Sequence, residues 1–232
     1  MNICNLCGGE FTNPIFKNML QCKICGVFKR EIISENTIKK ELKKLLLSDC
    51  HKPESKKRRI EMANNQLDMI EKYKNASKIF DVGTASGLFL KIAQDRGWEV
   101  DGNEISVSAI EYGKKNFNID IRYGFLEELD LKNDNYDVVV LWHTLEHTTN
   151  PKITIDIVKK ILKKDGYLYI GVPEKGTIEL LKKYYERGHT YEFSRENLTN
   201  FLINNDFDII ECIGEPNKNG IPCLEYMAKN IK

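Results

Sequence analysis

The sequence predicts an α/β chain: a doubly wound, mostly parallel sheet with an antiparallel strand at its C-terminal end, preceded by a small four-cysteine module. Three observations predict it. Beyond residue 77, short apolar runs alternate with amphipathic stretches in a strand and helix rhythm. One of these runs, Ile79-Phe80-Asp81-Val82, enters a glycine turn from Gly83 to Gly87 that opens a helix, and a carboxylate, Glu104, waits at the end of the next strand. Upstream, Cys4-Asn5-Leu6-Cys7 and Cys22-Lys23-Ile24-Cys25 form two close pairs.

Length and charge bound the rest. With 232 residues and a net charge of +1, the chain holds one ordinary α/β domain and roughly 30 to 80 further residues. Bulk charge does not mark a polyanion binder. No apolar run approaches the ~20 residues that span a bilayer, and the polar, cysteine-bearing N-terminus does not read as a signal peptide, so a cytosolic protein without membrane insertion is expected. Seven cysteines, an odd number with four clustered, fit thiolate metal ligation better than disulfides. Cys50, Cys212 and Cys223 then read as ordinary free thiols.

Residues 1–33 read as a zinc ribbon. Two C-x-x-C knuckles place Cys4, Cys7, Cys22 and Cys25 around a structural zinc, and Gly8 and Gly26 free backbone N–H groups to approach the thiolates. So small a unit has too little core to fold without the metal. Residues 34–76 read as a helical linker or lid: one helix from Thr37 with Ile38, Leu42, Leu45 and Leu46 on one face, and a second after Pro53 with Ile60, Ala63, Leu67 and Ile70. The run Lys56-Lys57-Arg58-Arg59 on the second helix reads as a solvated face.

Residues 77–232 carry the main domain. Strands are expected at Lys78 to Val82, Glu99 to Asn103, Ile121 to Tyr123, Tyr136 to Trp142 and Tyr167 to Val172. Between them come helices at Ser86 to Arg96 and Ser106 to Asn116, and one opened by Asn150 as cap and Pro151 in the first turn. A helix after Ser194 and strands near Phe207 to Cys212 and Leu224 to Ala228 complete the sheet, the last two as a hairpin.

The glycine turn points to the ligand. A dinucleotide fingerprint, G-x-G-x-x-G, brings backbone against a pyrophosphate, whereas Gly83 and Gly87 are separated by only three residues. The phosphate cradle is incomplete, which favours a ligand with adenosine but no phosphate.

With those residues in place, the segment from about 77 to 212 resembles the class I S-adenosylmethionine-dependent methyltransferases, which are Rossmann-like, and within them the branch with ubiquinone-biosynthesis-like and sugar-modifying members. The likeness is ordered along the chain: Asp81-Val82-Gly83, Glu104, Tyr123-Gly124-Phe125-Leu126-Glu127-Glu128-Leu129, Asp137 through His147, Lys164-Asp165-Gly166-Tyr167-Leu168, and His189-Thr190-Tyr191-Glu192-Phe193-Ser194. Several proteins of this branch also carry an N-terminal four-cysteine zinc segment. The resemblance implies S-adenosyl-L-methionine as cofactor. Gly83, Thr84 and Gly87 would lie against its methionine part, Asp81 would receive its ammonium directly or through water, Glu104 its ribose hydroxyls, and Phe125 and Leu126 would flank adenine, while Trp142, ending an apolar strand, reads as core or pocket wall. Two residues depart from the pattern: Phe125 stands where Asp is common, and Ala85 replaces the middle glycine of the loop.

Methyl transfer to a hydroxyl requires an aligned acceptor, an excluded solvent and a base. His143, His147 and His189 are the candidate catalytic bases, because the first two follow the fourth strand at the ligand-binding end of the sheet and the third lies past the fifth strand in the region that resembles the family's substrate wall. Each could instead bond backbone or orient the cofactor. The expected reaction is O-methylation of a small molecule such as a sugar, nucleotide sugar or saccharide precursor, with no nucleic acid as the favoured partner. Two alternatives stay open: an RNA or protein methyltransferase that docks through the ribbon, with Lys17, Lys23, Lys29 and Arg30 joining Lys56 to Arg59 in a basic surface, and a non-catalytic cofactor-binding module.

Overall fold

The computed structural model describes residues 3–31, 40, 53–185, 188–216 and 222–232. The linker helix expected from Thr37, with Ile38, Leu42, Leu45 and Leu46, lies outside the described residues, as does Cys50. In the N-terminal module β1 (Met19–Gln21) and β2 (Phe28–Arg30) pair antiparallel. Helix α1 (Pro53–Glu71) follows and buries Ala63, Leu67 and Ile70, as the three and four residue steps predict. Ile60, expected on that face, is 36% exposed, because the tie between α1 and the sheet domain starts a turn later, where Arg96 bonds Asn64, Asp68 and Glu71. Lys56, Lys57 and Arg58 are exposed, so the basic run is solvated.

The main sheet has seven strands in the order β5-β4-β3-β6-β7-β10-β9. β3 (Lys78–Val82), β4 (Glu99–Glu104), β5 (Arg122–Tyr123), β6 (Tyr136–Trp142) and β7 (Leu162–Pro173) run parallel. β10 (Pro222–Asn230) lies antiparallel between β7 and β9 (Phe207–Pro216), forming the terminal hairpin. The α-helices of this domain are α2 (Leu88–Asp95), α3 (Val107–Phe117), α4 (Pro151–Ile161), α5 (Ile178–Lys183) and α6 (Arg195–Ile203), with single 3-10 turns at Leu126–Glu128 and Leu145–His147.

Local chemistry sets the boundaries. Ser106 caps α3 through Ala109 N–H, Asn150 caps α4 through Lys152 and Ile153 N–H, and Ser194 caps α6 through Asn197. β7 is longer than the expected Tyr167 to Val172, because Leu162 already pairs with Tyr136 across a register irregularity. α5 and the two-residue strand β8 (Tyr191–Glu192) were not predicted; both are too short to show a period.

Alternation along β6 explains the winding. Val139 and Leu141 point into a core shared with α4 and α6, whereas Val138 and Val140 join Leu67, Ile70 and Ala93 on the other face. The first core is continuous with the ribbon, since Leu6, Phe11, Leu20 and Val27 belong to the same apolar cluster as Tyr191 and Phe193. The ribbon is also joined through hydrogen bonds: β8 adds to its sheet in the order β1-β2-β8. Among the described residues no helix is long and apolar enough to cross a membrane.

Candidate functional site

The direction of winding reverses at β3, whose neighbours are β4 and β6, so the loops beyond the C-terminal ends of these strands part and leave a crevice. A cleft of ≈ 1070 Å3, its open mouth included, lies there. Gly83 follows β3, Asn103, Glu104 and Ile105 close β4, Phe125 to Glu127 follow β5, and His143, Thr144 and His147 follow β6; all line it.

Glu104 is the anchor. It is 2% exposed, and its Oε1 accepts the Ile105 and Ser106 N–H groups at 2.7 and 2.9 Å while Oε2 accepts Ala85 N–H at 2.9 Å. A carboxylate offers about four lone-pair positions, so one on Oε2 is left for a ligand hydroxyl, where two were expected for ribose. The third donor explains Ala85, whose φ of +53° is strained for a residue with a Cβ. That conformation aims its N–H at Glu104 and locks the turn to β4.

The glycines act differently from one another. Gly83 has φ +72°, lines the cleft, and a Cβ there would come within 3.0 Å of Thr144 Oγ1. Thr144 in turn donates to Val82 O at 2.9 Å, which cross-ties the ends of β3 and β6. At Gly87 a Cβ would meet Ile121 at 3.0 Å, so this glycine serves helix packing beneath the turn. Asp81 and Thr84 sit buried behind the cleft wall. Burial pushes the Asp81 carboxyl up to about 7, with the Glu104 charge adding to the shift and the Thr84 hydroxyl opposing it. Trp142 stacks on Tyr169 with ring centroids 5.9 Å apart and covers Gly171, away from the cleft lining.

Asn103 escaped sequence reasoning. Its Nδ2 donates to Gly124 O at 3.0 Å, and its buried Oδ1 has no partner, an open acceptor on the cleft wall. The signal was there: Asp101-Gly102-Asn103-Glu104 is a polar end to a strand, and Gly102 lets that strand approach Asp81 O, which a Cβ would meet at 2.7 Å. The unmet acceptor at Asn103 and the residual Glu104 position, with the Asp81 carboxyl buried behind them and apolar Ile105, Phe125 and Leu126 beside them, suit a ligand with ammonium, hydroxyl and amine donors on an aromatic base. S-adenosylmethionine has these groups.

The three histidines and Glu146 form one cluster. His143, with φ +50°, bonds Glu146 Oε1 through Nδ1 at 3.2 Å. Burial would raise the 1% exposed Glu146 carboxyl, but the His143 hydrogen bond and the potentials of His147 and His189 prevail and hold it at about 2. His147 donates its Nδ1–H to Gly188 O at 3.0 Å, which fixes its tautomer and leaves Nε2 as the basic nitrogen. Burial lowers the His147 pKa despite the opposing Glu146 charge. His189 is buried behind His147, its ring edge-on at 4.8 Å, and is not part of the cleft lining.

In the ribbon the four cysteine sulfurs lie within 4.8 Å of one another. Cys4 and Cys25 Sγ are 3.7 Å apart and Cys7 and Cys22 Sγ 3.4 Å, close to the about 3.8 Å edge of a tetrahedron with zinc–sulfur bonds. Leu6 and Gly9 N–H groups donate to Cys4 and Cys7 Sγ at 3.4 Å, and Gly8 and Gly26 both adopt the positive φ that such knuckles use. The donor set fits zinc. Of the basic residues that docking would use, Lys23 pairs with Glu10 and Lys29 lies over the Phe11 ring, where burial lowers its pKa.

Comparison with known proteins agrees with this geometry. A family model described as "Methyltransferase domain" matches residues 52–212. A ubiquinone biosynthesis O-methyltransferase from Bartonella tribocorum is 25% identical over 154 residues, which cover 59% of this chain and 62% of the relative, so the match spans about three fifths of that relative's length. Among solved structures, a 1,6-didemethyltoxoflavin-N1-methyltransferase from Burkholderia thailandensis, bound to its substrate and S-adenosylhomocysteine, superposes with TM-score 0.68 at 13% identity, covering 97% of this chain and all of that one. A SAM-dependent methyltransferase from Methanosarcina mazei gives TM-score 0.61 at 19% identity, covering 70% of this chain and 97% of its own; likenesses at such identities carry the fold alone.

Proposed function

Because this chain belongs to the methyltransferase domain family, we propose that it moves the methyl group of S-adenosylmethionine onto a hydroxyl of a compact acceptor, in the sugar, nucleotide sugar or saccharide-precursor class. The observation that carries this reading is His147, a tautomer-fixed histidine of lowered pKa in the same cleft as Glu104. The oxygen specificity in the names of the ubiquinone-biosynthesis relatives supports the choice of acceptor atom. The chain is organised for this as a zinc-holding ribbon (1–33), a linker (34–76) of which helix α1 is described, and a catalytic domain (77–232).

Bound S-adenosylmethionine supplies an electrophilic methyl on a sulfonium. When it is bound, Asp81 would receive the ammonium of its amino-acid part directly or through water, Glu104 and Asn103 would accept from the nucleoside, and Phe125 and Leu126 would flank the adenine. The Gly83 turn, whose neighbour Thr144 ties the ends of β3 and β6, would hold the methionine part. His147 Nε2 would take the acceptor hydroxyl proton as the oxygen gains the methyl and the sulfonium leaves as a neutral thioether. His143, held by Glu146, stands on the same wall and orients the acceptor. Cys4, Cys7, Cys22 and Cys25 hold the zinc, which orders the ribbon and takes no part in the chemistry.

The reading is tested by incubating the zinc-loaded enzyme with methyl-labelled S-adenosylmethionine and a panel of sugars, nucleotide sugars, phenols, nucleobases, RNA and proteins. Label on an oxygen of a sugar-class compound, reduced at least 100-fold in His147→Asn, is the expected result. Label found only on nitrogen, RNA or protein overturns it.

A further inference from the structure

Behind the histidine that faces the acceptor lies a buried ion-pair network that the reaction as described does not use. Lys175 is fully buried, Glu192 is 1% exposed and His189 3%. Lys175 Nζ stands 3.6 Å from Glu192 Oε1, and His189 Nδ1 lies 3.0 Å from Glu192 Oε2. Because a carboxylate only accepts, that contact, shorter than the 3.4 Å from Lys175 Nζ to the same nitrogen, favours the proton on His189 Nδ1. The ring so held stands edge-on to His147 at 4.8 Å. The segments are locked at the backbone as well, Thr190 N–H donating to Glu146 O at 2.8 Å.

Glu192 is also a rung of the ribbon. It pairs with Phe28 and its neighbour Tyr191 with Lys29, Arg30 N–H donates to Thr190 O at 2.7 Å, and Asn5 Nδ2 donates to the Tyr191 hydroxyl at 3.3 Å. A buried carboxylate and ammonium cost desolvation, and hydrophobic residues would fill the same volume more cheaply. Glu146, His147 and His189 donors also lie within 4.8 Å of one another, but the Lys175 charge already sits 3.4 Å from His189 and supplies the positive potential that a cation would bring.

We propose that Glu192 is a positioning residue for the methyl-transfer site: held by ribbon strand β2 and balanced by Lys175, it fixes His189, which in turn fixes the acceptor-facing His147, so the four-cysteine module forms part of the acceptor site. This rests on the reading of His147 as the group facing the acceptor. The ribbon then acts through a continuous chain, β2 to β8 to His189 to His147, each link a hydrogen bond or a ring contact.

The experiment reads histidine tautomers by long-range proton–nitrogen NMR on the full, zinc-loaded chain labelled with nitrogen-15 histidine, where four histidines make assignment by single His→Gln variants tractable. In the wild type, His189 is expected in the Nδ1–H form. The charge-balanced double variant Lys175→Met/Glu192→Met removes the acceptor without leaving a lone buried charge, and is expected to shift His189 at least tenfold toward Nε2–H and to move the His147 titration. Arg30→Pro, which deletes the N–H facing β8, is read against Arg30→Ala, which loses the same side chain but keeps that N–H, and only the proline variant is expected to broaden or shift both rings while S-adenosylhomocysteine affinity stays within threefold. A His189 that keeps its Nδ1–H form and an unmoved His147 in both the double and the proline variant overturn the proposal. Failure of the wild type to bind S-adenosylhomocysteine would overturn the cofactor reading instead, and leaves the histidine result to be judged separately.

Discussion

Cofactor affinity should depend on pH through Asp81. Its carboxyl ordinarily titrates at 3.8 and burial at the end of β3 pushes it up to about 7, so in the free protein it is mostly protonated at pH 5 and mostly ionised at pH 8. Only the ionised form receives an ammonium as a charge-assisted hydrogen bond. With an apparent pKa of about 7, binding is weakened by a factor of 1 + 10^(pKa − pH), roughly 100-fold at pH 5 and roughly 1.1-fold at pH 8. That span is about 2.7 kcal/mol. The same linkage lowers the stability of the free protein as pH rises from 3.8 towards 7, because the folded state holds the proton more tightly than the unfolded chain; bound ammonium offsets this loss. Calorimetric titration with S-adenosylhomocysteine, which carries the same amino-acid group, at pH 5, 6, 7 and 8 measures the slope, and buffers of different ionisation enthalpy count the proton released. Asp81→Asn should bind weakly with no such slope. An affinity that is flat across this range, or a slope that persists in Asp81→Asn, refutes the reasoning.

Glu104→Ala should abolish measurable S-adenosylhomocysteine binding and cost about 2 kcal/mol of stability, since it strips acceptors from the Ala85, Ile105 and Ser106 N–H groups; calorimetry and thermal melts read both. Ala85→Gly relieves a residue at φ +53° and should raise stability by about 0.5–1 kcal/mol with cofactor affinity unchanged, as seen by chemical denaturation. Turnover as a function of pH should rise through a group below 6.5 and level off by neutral pH, because His147 must be unprotonated to act as base; His147→Asn should remove that limb. Native mass spectrometry should count one zinc per chain, and Cys22→Ser should lose it together with the ordered ribbon.

Much of the fold was legible because its signals are local. β3 and β6 fall where their apolar runs begin and end, and the Ser106, Asn150 and Ser194 caps mark their helices in the sequence itself. β8 was not legible, since two residues carry no period and their partner strand lies some 160 positions away in the ribbon. The same holds at the site. Gly83, Glu104, Phe125, Leu126, His143 and His147 line one cleft, as the ordered motifs imply. Gly87 and Trp142 are drawn into packing, and His189 is set back behind His147, because side-chain direction depends on neighbours that spacing does not reveal. Asn103 and Thr144 were missed for a related reason: a short polar side chain announces itself only once the strands that meet around it are known.

The most direct test of this account is a crystal structure of the chain with S-adenosylhomocysteine and zinc. The account predicts adenine between Ile105 and Phe125–Leu126, ribose against Glu104, the amino group at Asp81, and the sulfur opening toward His147. A nucleoside bound elsewhere, or a sulfur turned away from the histidine cluster, would contradict it.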